Sequence, residues 1–466
     1  MKLNSSPIAL LLLMFAGGVA SSAEVSPTSA APVALSIEEC LRIADETHPA
    51  LTAAQAGVAA AAEAVSEARA PFYPQVDLSA GYHRWQRRAF LPSGLTLPGR
   101  GIPEVVGPLH DWNGGLQSRV LLYDSGERAA GLSAAQARRA GAEADVAVVR
   151  ADLRLGVRAA YYALAVAQDL RVLAEKNLAR AESHQRLAEA RRAAGAVPQA
   201  DVLRAQAEVA AGNLQLIGAA SRVRAASGRL NTAMGRAADT AIQIAGAPAM
   251  PPPPGQAELS VAVSRALAHR PELKSGAKRA EAARATVSAA RAARAPKVRA
   301  DGAFGWRDTE WLPDSREWQA GLAVDFPVFD AGSRARRLAR SQAELAREEA
   351  ALEHRRLQVR EEVWSTAVEL ERAWASIAAN ETNVRASEES LRVVRERYQL
   401  GGAILTDLID TQTALARAEA SLAETRWSYL TARAAFERAV GGAEDDYQDR
   451  VLAEQRRSSE GMSPPR

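Results

Sequence analysis

Asp407 and Asp410 are the side chains of this sequence whose type and spacing best suit chemistry. A spacing of three puts both carboxylates on one face of a helix. Two acids so placed attract cations. They also suit the first turn of a helix, where the positive end of the macrodipole favours them, and Asp201 reads as an acid of that plainer kind. Each acid follows a glycine turn: Gly195-Ala196-Val197-Pro198 precedes Asp201, and Gly401-Gly402 precedes Asp407. Glycine permits the positive φ of a tight reversal between helices. No catalytic constellation accompanies these residues: there is no Walker loop, HExxH, GxSxG or Cys/His cluster. Histidines 48, 83, 110, 184, 269 and 354 are scattered and read as surface or structural residues rather than metal ligands. The single cysteine, Cys40, permits no internal disulfide. Neither an enzyme nor a cofactor is expected.

The elements that position these turns come in two copies. Leu122-Tyr123-Asp124-Ser125-Gly126 resembles Val328-Phe329-Asp330-Ala331-Gly332 at an offset of 206. Gly195 and Gly401, Asp201 and Asp407, Gln206 and Gln412, and Gly235 and Gly441 share that offset without a gap. Landmarks in one register over about 110 residues establish a duplication. It extends upstream: Ala44 to Pro49 resembles Ala266 to Pro271, and Ala68-Arg69-Ala70-Pro71 returns as Ala293-Arg294-Ala295-Pro296. The domains are therefore a leader over 1–23, a first repeat over 24–245, a Pro-rich linker over 246–258, a second repeat over 259–442 and a tail over 443–466. The leader is a secretory signal: Lys2, the apolar run Ile8 to Ala16, and Ser21-Ser22-Ala23 for cleavage.

Each repeat reads as a helix (37–70; 259–294) ended by Pro71 or Pro296, then two alternating segments, then a very long helical stretch. Val76, Leu78, Ala80 and Tyr82 oppose Gln75, Asp77, Ser79 and His83. Leu116, Val120 and Leu122 oppose Gln117 and Arg119. In the second repeat, Val298, Ala300, Phe304 and Trp306 oppose Arg299 and Asp301, while Trp318, Ala320, Leu322, Val324 and Phe326 oppose Gln319 and Asp325. Strands of about 10 residues with one apolar face have the length a tilted membrane strand needs. Tyr82, Trp85, Trp112, Tyr123, Trp306, Trp311 and Trp318 lie near strand ends, where membrane interfaces favour aromatics. In the long helices, apolar and small residues recur at spacings of three and four: Val146, Val149, Leu153, Val157, Ala160 and Leu164, then Leu352, Val359, Val363, Thr366, Leu370, Ala373 and Ile377.

Composition agrees. The 466 residues are Ala- and Arg-rich with 5% aromatics, which favours long helices over a thick core. The net charge of +3 is small beside 58 basic and 55 acidic residues, and no basic block suits nucleic acid. Beyond the leader no run of about 20 apolar residues exists, so a membrane could be spanned only by strands. Four strands cannot close a barrel, because an open edge in lipid leaves backbone groups unsatisfied. Two copies would supply eight strands and three would supply twelve; the polar inward faces favour the wider, water-filled case.

These features together resemble the TolC-type outer-membrane efflux family over nearly the whole mature chain. The resemblance rests on the duplication, the strand-pair-then-helix order, the Ala44 to Pro49 and Ala266 to Pro271 elements, and the tip Tyr398 to Gly402 with Asp407 to Asp410. It implies a mainly α fold with a membrane portion: a homotrimer whose twelve strands form one β-barrel in the outer-membrane lipid, standing on an α-helical barrel in the periplasm. It implies a periplasmic adaptor protein and an inner-membrane pump as partners, in tripartite efflux or type I secretion, with loops 86–111 and 307–317 facing outside. Gly195, Ala196, Val197, Gly401 and Gly402 would then form the entrance and touch the adaptor. Asp407 and Asp410 correspond to the family's entrance aspartates. The family often carries a latching basic residue near the second tip; Ala403 stands there, so other polar contacts would have to serve. A periplasmic adaptor would show one hairpin rather than two, and a coiled-coil scaffold would not need amphipathic strands.

Overall fold

The protein is described here by a computed structural model covering residues 34–85, 110–246, 250–253, 256–311 and 315–442. The leader, the tail and most of loop 86–111 lie outside the described residues. The elements run β1 (Ala34–Leu35), α1 (Ile37–Thr47), α2 (Pro49–Arg69), β2 (Gln75–Arg84), β3 (His110–Tyr123), α3 (Glu127–Ala193), α4 (Gln199–Ala233), β4 (Gln243–Ile244), α5 (Gln256–His269), α6 (Pro271–Ala292), β5 (Lys297–Asp308), β6 (Arg316–Asp325), α7 (Ser333–Gln399) and α8 (Leu405–Val440).

The first helix of each repeat is broken in two, a correction to the single helices expected over 37–70 and 259–294. His48 (φ −73°, ψ 125°) separates α1 from α2, and Arg270 (φ −60°, ψ 128°) separates α5 from α6. The cause is the following proline, whose Cδ drives the preceding residue out of the helical region while its own φ suits the first turn of the next helix. The second of these helices begins further upstream than expected, since α5 starts at Gln256.

α3 and α7 each run for 67 residues without a break, about 100 Å at 1.5 Å per residue. They fold back as hairpins with α4 and α8, and α3 also packs on α6 and α8. The seam of α7 buries Val359, Val363, Ala367, Leu370, Ala373 and Ile377. Thr366, expected in that seam, stands half-buried beside it and donates its hydroxyl to Glu362 O at 2.7 Å. The alanines let helices approach closely, and the fully buried Leu and Val side chains each contribute about 2 kcal/mol.

The four long strands form one antiparallel sheet in the order β2-β3-β5-β6. The two repeats meet at β3 and β5. Register rows confirm the alternation: Leu78, Leu116, Phe304 and Trp318 align on one face, and Asp77, Gln117, Ala303 and Gln319 align on the other. A bulge between Leu121 and Tyr123 changes one assignment. It leaves Leu122 out of the ladder and brings Tyr123 opposite Val298, into the apolar row. Among the described residues, no helix is long and apolar enough to cross a membrane.

Candidate functional site

The two hairpin tips lie side by side. Gly195 (φ +73°) and Gly401 (φ +79°) occupy the left-handed region that the reversals require. At the first tip Ala196 N–H bonds Arg191 O at 2.9 Å; at the second, Gly402 N–H bonds Arg397 O at 2.8 Å. Each reversal thus satisfies a carbonyl that the helix end would leave orphaned. Beneath the second tip Tyr398, Leu405 and Leu408 form a small buried cluster.

Asp407 and Asp410 are both exposed on α8, as their spacing predicts. They are not equivalent. An Asp407 carboxylate oxygen accepts the backbone N–H of Ile404 at 3.3 Å, so this acid also closes the start of its helix. Among the described residues Asp410 has no such tie.

Sequence reasoning missed Arg191. Its guanidinium donates to Gln399 O at 2.8 Å and lies 4.5 Å from the Tyr398 ring centroid. Arg191 thus ties the tip of the first hairpin to that of the second. Below this contact, Arg204 reaches Thr406 (3.3 Å), Arg180 forks onto Glu419 (3.1 Å twice) and Trp427 Nε1–H donates to Asp169 (2.6 Å). Arg158 pairs with Glu437 at 3.2 Å further along. These links tie one hairpin to the other along much of their length. Basic residues in the last turn of α3 were the only visible signal.

Between the hairpins near the tips lies a groove of about 560 Å³, lined among others by His184, Glu208, Gln412 and Arg417. Burial pushes His184 below the ordinary imidazole range; a bond with the Gln412 side chain works the other way, and Arg395 and Arg180 add to the lowering. No group of three or more His, Cys, Asp or Glu among the described residues is placed to hold a metal.

At the other end of the molecule most of the expected aromatics gather at one height. Tyr82 lies 4.2 Å from Trp112, Trp112 meets Trp311 edge-on at 4.6 Å, and Trp85 flanks His83. Trp306 and Trp318 belong to the next two rows of the apolar face. Tyr123 stands apart at the opposite end of β3, and Tyr73, Phe326 and Phe329 are exposed as it is. From Trp112 to Tyr123 the strand covers about 37 Å, which a tilt of about 40° reduces to about 28 Å, close to the height of a membrane barrel's apolar band.

The turns joining strand to helix are also duplicated. Asp124 accepts the N–H groups of Gly126 (3.2 Å) and Arg128 (2.8 Å); Asp330 accepts those of Gly332 and Arg334, both at 3.0 Å. Ser125 (φ 56°) and Ala331 (φ 52°) are held in the left-handed region by these bonds, a conformation that costs a residue with a Cβ about 1 kcal/mol.

The chain's likenesses to known proteins agree with this architecture. The outer membrane efflux protein family profile matches residues 41–236 and 262–442, one segment on each repeat. Protein CyaE of Bordetella pertussis is 32% identical over 363 residues, covering 76% of this chain and 71% of that one. The pyoverdine export outer membrane protein OpmQ of Pseudomonas aeruginosa is 27% identical over 407 residues, 84% of this chain and 82% of that one. The outer membrane protein VceC of Vibrio cholerae shares the fold with a TM-score of 0.75 at 20% identity, over 87% of this chain and 96% of its own. The CmeC outer membrane channel of Campylobacter jejuni does so with a TM-score of 0.75 at 16% identity, over 87% and 85%. With both repeats matched by the family and the fold shared with outer-membrane channels, the chain belongs to the outer membrane efflux protein family and is an outer-membrane export channel rather than an enzyme.

Proposed function

We propose that three copies of this chain close one twelve-stranded barrel and one helical duct, which passes substrates delivered by an inner-membrane pump through a periplasmic adaptor. The observation that carries the assembly is the sheet itself. Among the described residues its outer strands β2 and β6 have no partner on one side, and in lipid each unmet backbone group costs several kcal/mol. Three sheets of four strands would meet edge to edge, β6 against the next β2. Residues 1–23 direct export, and the Pro-rich linker joins the repeats. A heat-modifiable, SDS-resistant trimer in the outer-membrane fraction is the expected result; recovery as a soluble periplasmic monomer would sink the reading.

In that assembly the helix tips form the periplasmic entrance, and Gly195, Ala196, Val197, Gly401 and Gly402 form the docking notch for the adaptor. Asp407 and Asp410 from three copies surround the opening with carboxylates, which favour cations there. Their exposure and shared face support this role. Tyr82, Trp85, Trp112, Trp306, Trp311 and Trp318 form the outer interfacial belt, and Tyr123 belongs to the inner one. Asp407→Ala with Asp410→Ala should weaken block by multivalent cations in planar bilayers. Undiminished block would remove the acidic ring while leaving the duct intact. A photo-crosslinking residue at Val197 should capture the adaptor.

A further inference from the structure

Just below the barrel, α6 and α7 enclose a groove of about 650 Å³ with a floor of alanines, Ala289, Ala290 and Ala293, and a rim of Arg336, Arg337 and Arg340. On α7, Ser333, Arg337, Arg340 and Glu344 follow at spacings of four, three and four, so they line one face of the helix. The rim is not electrically balanced. Arg340 pairs with Glu344 at 3.2 Å, while within one copy of the chain no carboxylate of the described residues pairs with Arg336 or Arg337.

The groove adjoins the polar face of the sheet through Glu127. Lys297, Arg299 and Asp301 share the polar face of β5, opposite Val298 and Ala300. In a membrane sheet the apolar face meets lipid, so the polar face lines the lumen. Lys297 pairs with Glu127 at 2.6 Å, and Glu127 also lines the groove. In the trimeric duct proposed above, the cavity therefore continues the lumenal wall downward.

We infer that this groove is an anion-binding collar inside the duct, suited to solutes carrying phosphates or several carboxylates. Arginine presents forked donors that match such groups, and the alanine floor leaves room for them. The collar is opposite in sign to Asp407 and Asp410 at the far end of the helices, so a multiply charged anion meets an attractive zone only after passing the tips. The inference rests on the trimeric duct proposed above, which sets three such grooves around one lumen.

The test is single-channel recording of the purified full chain in planar bilayers, with inositol hexakisphosphate as the blocking anion. The unmodified channel should be blocked in the micromolar to millimolar range that clustered arginines give. Arg336→Gln with Arg337→Gln should raise the half-blocking concentration about tenfold, because it removes two charges per copy from a partly screened site. Arg336→Lys with Arg337→Lys should keep most of the block. Equal block in the Gln variant overturns the collar, as does a Lys variant that behaves like the Gln variant. A chain that forms no conducting pore overturns the trimeric duct itself. Pores that conduct normally without this block overturn only the collar.

Discussion

The two repeats share a backbone plan but hold their central junctions by different means. In the first, His48 precedes Pro49, its Nδ1 accepts the Ala50 N–H at 3.1 Å, and Gly235 packs against it. Around it lies an apolar core that includes Cys40, Leu41, Val157, Leu230 and Met234. In the second, the corresponding Arg270 is only 2% exposed and sits in a charge network. It pairs with Glu362 and donates to Glu272 at 3.3 Å; Arg438 bridges Glu272 to Asp152 (2.6 Å). At the repeat offset of 206, Glu362 falls on Gly156 and Arg438 on Thr232, so the first repeat has no counterpart of either. Duplication preserved the break before proline, a backbone property. It left the side chains free to diverge into an apolar solution and an ionic one.

The comparison breaks most readily at Arg270. Arg270→Met leaves Glu272 and Glu362 facing a buried apolar group and should cost about 3–5 kcal/mol. His48→Ala loses one capping bond and should cost about 1 kcal/mol. Denaturant unfolding of the detergent-solubilised protein reads both. Equal losses would mean that the ionic network adds nothing over the apolar junction. Burial holds Glu272 back toward its neutral form, but its own backbone N–H, Arg270 and Arg438 outweigh this and place its carboxyl below the ordinary range. The network's contribution is therefore present at neutral pH and fades as pH falls through that lowered value.

Glycine tests the same pair at a smaller scale. A Cβ on Gly235 would meet His48 Cα at 2.9 Å, which is backbone, whereas one on Gly441 would meet Arg270 Cγ at 3.1 Å, which is side chain. Both glycines have positive φ. Gly235→Ala should cost about 2 kcal/mol or more and Gly441→Ala nearer 1 kcal/mol, since only the second neighbour can give way. Thermal unfolding that reverses this order would show that the charge network is the stiffer packing.

The tips differ in their ties, and Arg191 sharpens that contrast. Arg191→Gln removes a bond between hairpins and a cation over Tyr398, worth about 1 kcal/mol together. Hydrogen exchange should quicken at both tips. Arg397→Gln, which removes a bond to Gly402 O of its own tip (3.2 Å), should loosen only the second.

The smallest effect expected is a pH dependence from His184 alone. Its folded pKa lies below the unfolded value of about 6.5, so the unfolded chain takes up the proton first and stability falls as pH drops through that region. His184→Gln should flatten the slope of stability between about pH 7.5 and 5.5. An unchanged slope would assign that dependence to other groups.

Much of this was readable in the residues because it is local. The 206-residue register, the reversals at Gly195 and Gly401, the strand faces and the shared face of Asp407 and Asp410 all follow from spacing and glycine or proline chemistry. The helix breaks at Pro49 and Pro271 were legible in principle, since a proline restrains the residue before it, but the helical periodicity on either side concealed them. The bulge at Leu121 to Tyr123 was not legible, because it depends on how β3 meets β5 across the repeats.

The sequence by itself determined the order of elements, the duplication and the need for partner strands, since these rest on backbone preferences and on which faces are apolar. Only the tertiary structure decided where the charges go. Arg270 became a buried ion, Arg191 a tie between tips, and Arg336 and Arg337 the rim of a groove, although all four read alike as helix-surface arginines. The reason is that a charge takes its energetic meaning from what stands within a few ångströms of it, and those neighbours come from segments a hundred or more residues away for Arg191, and from a second helix or a missing partner for the others.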